Sequence, residues 1–190
     1  MKLCICRADQ DAAAAEVHGL IMRSGPRPGT ALRAIPSPHY REQPQHSFCG
    51  HCGVVPEGVA LAGSRVCGSC GLGLVLQAAA DVAPRPHDSF LVIDGALTVS
   101  ALSAAAESLL GVTEKEAVGR PISELLTAAD VEERGDDQVA RHIIAAADEV
   151  QGPSHQVVLR PAGEFGVRLW ARIGPCGPPR AALLVFADRS

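Results

Sequence analysis

The sequence predicts an α+β protein: a five-stranded antiparallel sheet with short helices, preceded by a small metal-built unit. Three observations lead there. Two nearly identical Cys-x-x-Cys phrases stand close together at Cys49/Cys52 and Cys67/Cys70. Between Phe90 and Leu126 an apolar run, a turn, an alternating run and two clipped helical segments follow one another. Beyond them, one long amphipathic stretch precedes three strand-like runs.

Residues 1–45 read as an N-terminal strand and helix followed by a Pro-rich linker. Lys2–Cys6 suits a short strand. Asp9 or Asp11 can cap a helix over Ala12–Arg23, with Ala13, Val17, Leu20 and Ile21 on one face. Prolines at 26, 28, 36, 38 and 44 then favour extended chain. Cys4 and Cys6 read as ordinary thiols.

Over residues 46–77 the phrases Phe48-Cys49-Gly50-His51-Cys52-Gly53 and Val66-Cys67-Gly68-Ser69-Cys70-Gly71 repeat one pattern. A Cys-x-x-Cys turn sets two thiolates on one side of an ion, and two such turns complete a tetrahedron of soft ligands. Glycine after the second cysteine lets the backbone turn so that amide N–H groups point at sulfur. The fourteen residues from Gly53 to Val66 suffice for a short hairpin, turned at Pro56-Glu57-Gly58 or Ala62-Gly63-Ser64. The unit looks like a zinc ribbon, with Cys49, Cys52, Cys67 and Cys70 as ligands of a structural Zn2+. Iron in a similar cage and a thiol–disulfide switch are the competing readings. His51 lies between ligands and reads as a bystander. A closed four-sulfur site has no open coordination position, so its ion serves folding and not catalysis.

Leu72–Ala83 fits two periods. Leu72, Leu74 and Leu76 alternate as in a strand, while Leu72, Val75, Leu76, Ala79 and Val82 follow a helix. The expectation is a strand changing into a short amphipathic helix, so that 78–87 becomes a connecting helix and linker, stopped by Pro84 and Pro86.

The last unit spans 88–190. Phe90–Ile93 suits a buried strand, Asp94-Gly95 a hairpin turn with positive φ on the glycine, and Leu97–Leu102 a half-buried strand. Ser103 can cap a helix stopped by Gly111. Thr113 and Glu116 form a capping box for a second helix that ends at Val118-Gly119 before Pro121. This ordered set resembles the PAS domain, the small sensor and dimerisation module of signalling proteins, over roughly Asp88 to Ser190. The matching positions are Asp94-Gly95, Gly111, Glu114, Glu116, Gly119-Arg120-Pro121 and Leu125-Leu126, the last on an apolar helix that the resemblance implies. Two departures are visible: Ser103 stands where Asn is usual, and Val112 where an aromatic residue is usual.

The acidic stretch Asp130–Asp137 reads as a solvated loop whose last carboxylates favour the start of a helix over Asp137–Val150. That helix carries Val139, Ile143, Ala147 and Val150 on its apolar face. Strands follow at Ser154–Leu159, Val167–Ile173 and Ala181–Ala187, the last two joined by a turn holding Cys176. The resemblance implies a pocket for haem, flavin or a small metabolite, or no ligand at all. Flavin–cysteine chemistry needs a Cys shortly after Gly119-Arg120, where Pro121-Ile122 stands. His142, the one histidine on the long helix, reads as a boundary residue. His87 and His155 are weaker haem candidates still. Trp170 reads as core, with Phe165 beside it as a candidate pocket wall. Cys176 reads as an incidental thiol.

Composition bounds the function. The 190 residues are 47% hydrophobic but only 3% aromatic, so the core is Leu, Val, Ile and Ala. Net charge is −4, made of +2 over residues 1–47 and −6 over the rest. An acidic main body argues against a nucleic-acid footprint without excluding one, and Arg65 is the only basic residue between Phe48 and Asp81. No run of about eighteen apolar residues exists. Seven cysteines, an odd number, suit a reducing cytoplasm and metal binding. No Ser-His-Asp order, phosphate-cradling Gly loop or supported carboxylate pair points to an enzyme, and no output-domain pattern follows Asp188-Arg189. The expectation is a non-enzymatic signalling protein that binds a protein partner or dimerises. A zinc-ribbon transcription regulator and a thiol-based redox or metal sensor are the alternatives.

Overall fold

The structure is a computed structural model, which describes residues 44–56, 65–129, 135–149 and 151–187. The readings of residues 1–43, of both turns within 57–64, of most of the acidic run and of Asp188-Arg189 lie outside the described residues. The chain divides into two units, Met1–His39 and Tyr40–Ser190, and all described residues belong to the second.

Its strands are β1 (Gln45–Cys49), β2 (Val75–Ala79), β3 (Phe90–Ile93), β4 (Val99–Leu102), β5 (Leu126–Ala128), β6 (His155–Pro161), β7 (Leu169–Gly177) and β8 (Ala181–Phe186). Its helices are α1 (Ala104–Leu110), α2 (Glu114–Ala117) and α3 (Gly135–Asp148), with one 3-10 turn at Ile122–Glu124. All eight strands among the described residues share one antiparallel sheet, where the sequence predicts five. The path runs β1-β2-β7-β8-β3-β4, and β6 pairs with β7 on one side and β5 on the other.

Nine-residue β7 explains the larger count. One of its edges pairs along most of its length with β8. The opposite edge is divided: Leu169–Ile173 pair with β6, and Cys176 and Gly177 pair with Ala78 and Gln77 of β2. The hairpin carrying the cysteines therefore extends the sheet, joined through β7. Leu126, which the resemblance assigns to an apolar helix, instead opens strand β5, because Leu159, Arg160 and Pro161 of β6 offer it a ladder.

The Leu72–Ala83 expectation is corrected too. Val75–Ala79 is strand throughout and a turn at 80–82 follows, without a helix. Both periods were open to these residues, and β1 decides between them by pairing Gln45 to Cys49 with Ala79 to Val75. The turn presses Val82 onto Gly174, where an added Cβ would sit 2.9 Å from Val82 Cγ1.

Local signals behave as their chemistry demands. Ser103 Oγ accepts from the Ala106 and Phe90 amides at 3.2 and 3.0 Å and donates to the Asp88 carbonyl at 3.1 Å. One buried hydroxyl thus caps α1 and ties it to β3. Gly111 closes α1 in the left-handed region, φ 64°. The Glu116 carboxylate accepts from Thr113 N and Thr113 Oγ1 at 3.1 and 2.8 Å, and the Thr113 amide holds its carboxyl below the ordinary range. The Asp94-Gly95 turn forms, but the positive φ falls on Leu97, at 64°, and not on Gly95. Asp94 Oδ1 directs the chain there by accepting from both Ala96 N and Thr98 N at 2.9 Å.

The sheet is buried on both faces. On the helix side, Leu91, Ile93, Leu184 and Phe186 pack with Ile143, Ala146 and Ala147 of α3. On the other side, Phe90, Val92, Leu183 and Val185 pack with Phe48, Leu76, Ala78 and Val82. Phe48 meets Phe90 edge-to-face at 5.8 Å between ring centres. This two-sided burial accounts for the unbroken apolar runs Phe90–Ile93 and Ala181–Phe186.

Candidate metal centre

The two Cys-x-x-Cys phrases fold into matching knuckles. Gly53 N donates to the Cys49 carbonyl at 3.0 Å and Gly71 N to the Cys67 carbonyl at 2.9 Å. Gly53 and Gly71 take φ of 69° and 68°, a conformation that glycine enters without steric cost. The isolated bridge Val66–Leu74 brings the second knuckle back towards the first, where Gly50 N donates to Leu74 O at 2.8 Å.

This places Cys49, Cys52, Cys67 and Cys70 with all four sulfurs within 4.8 Å of one another. Cys49 Sγ lies 3.6 Å from Cys70 Sγ, and Cys52 Sγ 3.9 Å from Cys67 Sγ. Four sulfurs about 2.3 Å from one ion form a tetrahedron with edges of about 3.8 Å, so the cluster fits a four-coordinate ion. All four cysteines are free thiols. Amides point at them: His51 N and Cys52 N at Cys49 Sγ, 3.4 and 3.5 Å, and Gly73 N at Cys70 Sγ, 3.5 Å.

The thiols divide in acidity. Burial pushes Cys49 up to about 12, against the lowering pull of the Cys52 and His51 amides. Burial also raises Cys52. At Cys67 burial acts in the same direction but is outweighed by the Cys70 and Ser69 amides and neighbouring thiols, leaving it at about 6. At Cys70 burial is likewise outweighed, by the Gly73 and Leu72 amides, and the thiol falls. Four sulfurs this close cannot all carry charge without a cation among them. A metal ion held by these four cysteines would supply the missing positive charge.

Two residues outside the Cys pattern complete the site. Gly73 is required by close approach: a Cβ there would run into Cys49 Sγ and lie 2.8 Å from His51 N. A single glycine between Leu72 and Leu74 carries no sequence mark of that role. His51, predicted as a bystander to the sulfurs, turns its Nδ1 to Glu114 Oε2 at 2.8 Å. Glu114 Oε1 accepts from Leu102 N at 3.3 Å, so one carboxylate joins the first knuckle to β4 and α2.

The other candidate residues lie apart from this centre. His142 stacks on His155 with ring centres 4.1 Å apart. His87, at φ 73°, and Trp170 line a surface cleft of about 330 Å³. Trp170 is 41% exposed and not core, because side chains alternate along β7 and its neighbours Leu169 and Ala171 take the core side. Phe165 is 85% exposed beneath the Arg160 guanidinium. Cys176 is a residue of β7 and not of the following turn, and burial pushes its thiol up to about 12, which leaves it a poor nucleophile.

Comparison with known proteins bears on the segment that follows the cysteine centre. Residues 87–165 match the family model described as PAS fold. Similar solved structures include the PAS domain of nitrogen regulation protein NR(II) from Vibrio parahaemolyticus, at 19% identity and TM-score 0.40, covering 54% of this chain and 89% of that one. A PAS domain from Colwellia psychrerythraea shows 17% identity and TM-score 0.41, covering 54% and 86%. The PAS domain of an HTR-like protein from Haloarcula marismortui shows 16% and 0.40, covering 53% and 85%. No curated protein matches the chain. The segment 87–165, with its antiparallel strands, clipped helices and long α3 against the sheet, is a PAS domain.

Proposed function

We propose that this chain is a cytoplasmic signalling regulator in which a PAS sensor or dimerisation domain is coupled to a structural zinc site, acting by protein–protein contact and not by catalysis. The observation that carries it is the pairing of Gln77 and Ala78 with Gly177 and Cys176, which makes the cysteine hairpin part of the PAS sheet. Zinc suits the four-sulfur donor set, and with all four corners taken by protein it supplies folding free energy. The hairpin needs that ion, since it is too small to hold its own shape by burial. Once ordered, it shields Phe90, Val92, Leu183 and Val185. Occupancy of the metal site then sets the state of the sheet that meets the partner.

The test combines elemental analysis with sedimentation equilibrium of the full chain before and after chelation. The expected result is one zinc per chain and concentration-dependent dimers that dissociate on chelation. A metal-free, equally stable monomer sinks the reading.

A thiol-based redox or metal sensor is the second reading. It is favoured by Cys52 and Cys70, which are half-buried where Cys49 and Cys67 are closed off. Reversible zinc release under mild oxidant, with loss of self-association, distinguishes it.

A further inference from the structure

A β-bulge shapes the outer face of the sheet beside the cysteine hairpin. Ala101 pairs with Val92 and Val99 with Ile93, so Ser100 is the extra residue of β4. Val99 and Leu102 turn to the helix-side core, while Ala101 packs with Val92 on the outer side. Ser100 and Ala101 both border a cleft of about 350 Å³ between β4 and the hairpin. Bulges re-aim side chains in this way beside binding sites. The volume lies at the lower end of the small-molecule range, about 300–1,000 Å³. Leu72, Leu74, Leu76, Val92 and Ala101 supply apolar wall. Leu72 is 73% exposed and Leu74 45%, much open apolar surface for so small a hairpin.

The charge beside this apolar wall is negative. Asp94 and Glu114 bring carboxylates to the cleft. Glu114 is committed with both oxygens, Oε2 to His51 Nδ1 and Oε1 to Leu102 N. Asp94 spends only Oδ1, which accepts from Ala96 N and Thr98 N at 2.9 Å. Its Oδ2 has no hydrogen-bond partner among the described residues. Ile93 points into the helix-side core, so alternation along the chain turns Asp94 to the cleft's side. Arg180 also borders the cleft, but the Asp148 carbonyl at the end of α3 accepts from its Nη1 at 3.3 Å. That bond draws the guanidinium towards the other face of the sheet.

An apolar cleft with an open carboxylate oxygen suits a ligand with a cationic head and an aliphatic tail, and disfavours an anion. We infer that this cleft binds a primary aliphatic amine. Its ammonium sits on Asp94 Oδ2, with the exposed Ser100 hydroxyl on the same rim, and its alkyl chain lies against Leu74, Val92 and Ala101. The site is independent of which ion the cysteines hold.

The test is titration of the full chain as purified with n-hexylamine, n-hexanol and hexanoate, followed by amide NMR shifts. Saturable hexylamine shifts at Leu74, Val92 and Ala101 are expected. Hexanol, of equal chain length but uncharged, should bind about threefold to fivefold more weakly, the worth of one half-exposed charge contact. Hexanoate should bind more weakly still. Asp94→Asn retains the Oδ1 cap, and should bring hexylamine down to the level of hexanol while leaving hexanol unchanged. Ala101→Leu should fill the cleft and abolish hexylamine binding at an unfolding midpoint close to the parent's. Absence of saturable shifts up to the solubility limit overturns the inference. So does hexanoate binding as well as hexylamine, or a preference for the amine that survives in Asp94→Asn. The three ligands on the parent chain decide the matter even where a variant unfolds. None of these outcomes alters metal content or self-association, so the regulator reading is judged separately.

Discussion

His51 Nδ1 and Glu114 Oε2 lie 2.8 Å apart, joining the first cysteine knuckle to the first turn of α2 in the PAS domain. The pair is about a quarter exposed on each side, sheltered enough for the contact to carry weight. Glu114 also caps the Leu102 amide. Glu114→Ala should therefore cost about 1–3 kcal/mol, and His51→Ala less, since it leaves the Leu102 bond in place. A double-mutant cycle by denaturant unfolding should give about 0.5–1 kcal/mol of coupling. Strict additivity would mean that the first knuckle and α2 touch without communicating.

Removing the ion should loosen the outer half of the sheet before the inner half. Cys49→Ser should abolish stoichiometric zinc and lower the unfolding midpoint by about 10 °C, a few kcal/mol for a chain this size. Hydrogen exchange should accelerate first at Leu76 and Ala78 and last at Ile93 and Leu184. Uniform acceleration would contradict the divided packing of the two clusters.

Gly73→Ala adds a single methyl group, which would collide with Cys49 Sγ. Zinc affinity should fall by at least about tenfold, because ligand placement is displaced by the added atom. Gly68→Ala, where an added Cβ meets nothing within 4 Å, should bind zinc normally. Equal affinity in the two variants would show that the close approach at Gly73 is unimportant.

Phe48 is the hairpin's main anchor on the PAS sheet, buried and edge-on to Phe90. Phe48→Ala should cost about 3–5 kcal/mol, and Phe48→Leu clearly less. Calorimetry of both variants with zinc bound measures the difference. A cost below about 1 kcal/mol for the alanine variant would mean that the hairpin does not depend on this face.

His142 supplies a pH dependence. Burial first, then the charges of His155 and Arg141, hold its pKa below the ordinary 6.5. Below pH 6.5 the unfolded chain binds a proton that the folded chain refuses. Stability from this group is therefore full above pH 6.5 and declines as pH falls towards the lowered folded value. Unfolding midpoints between about pH 7.5 and 5.5 should fall less steeply in His142→Gln than in the parent. Parallel slopes would remove His142 from the balance.

Much of the fold was legible residue by residue. Ser103, Gly111, Thr113 with Glu116, and Asp94 each act through a bond to the backbone within a few positions, so their chemistry is local and shows in the order of residues. The four cysteines were legible because Cys-x-x-Cys spacing itself brings paired sulfurs to one side. Leu72–Val82 was not, since its leucines satisfy both periods and only the partner strand Gln45–Cys49 selects one. Leu126 was assigned to a helix by the resemblance, and only its partner strand β6 makes it strand.

The amino-acid order by itself determined that four thiols gather and that strand, turn, strand and clipped helices succeed one another from Phe90 onward. Tertiary structure alone decided that β7 is long enough to serve both β6 and β2, and hence that eight strands make one sheet. It also turned His51 to Glu114. Those relationships join residues tens of positions apart, and short-range propensity carries no record of such distances. They are fixed by which apolar face must be covered, and by what.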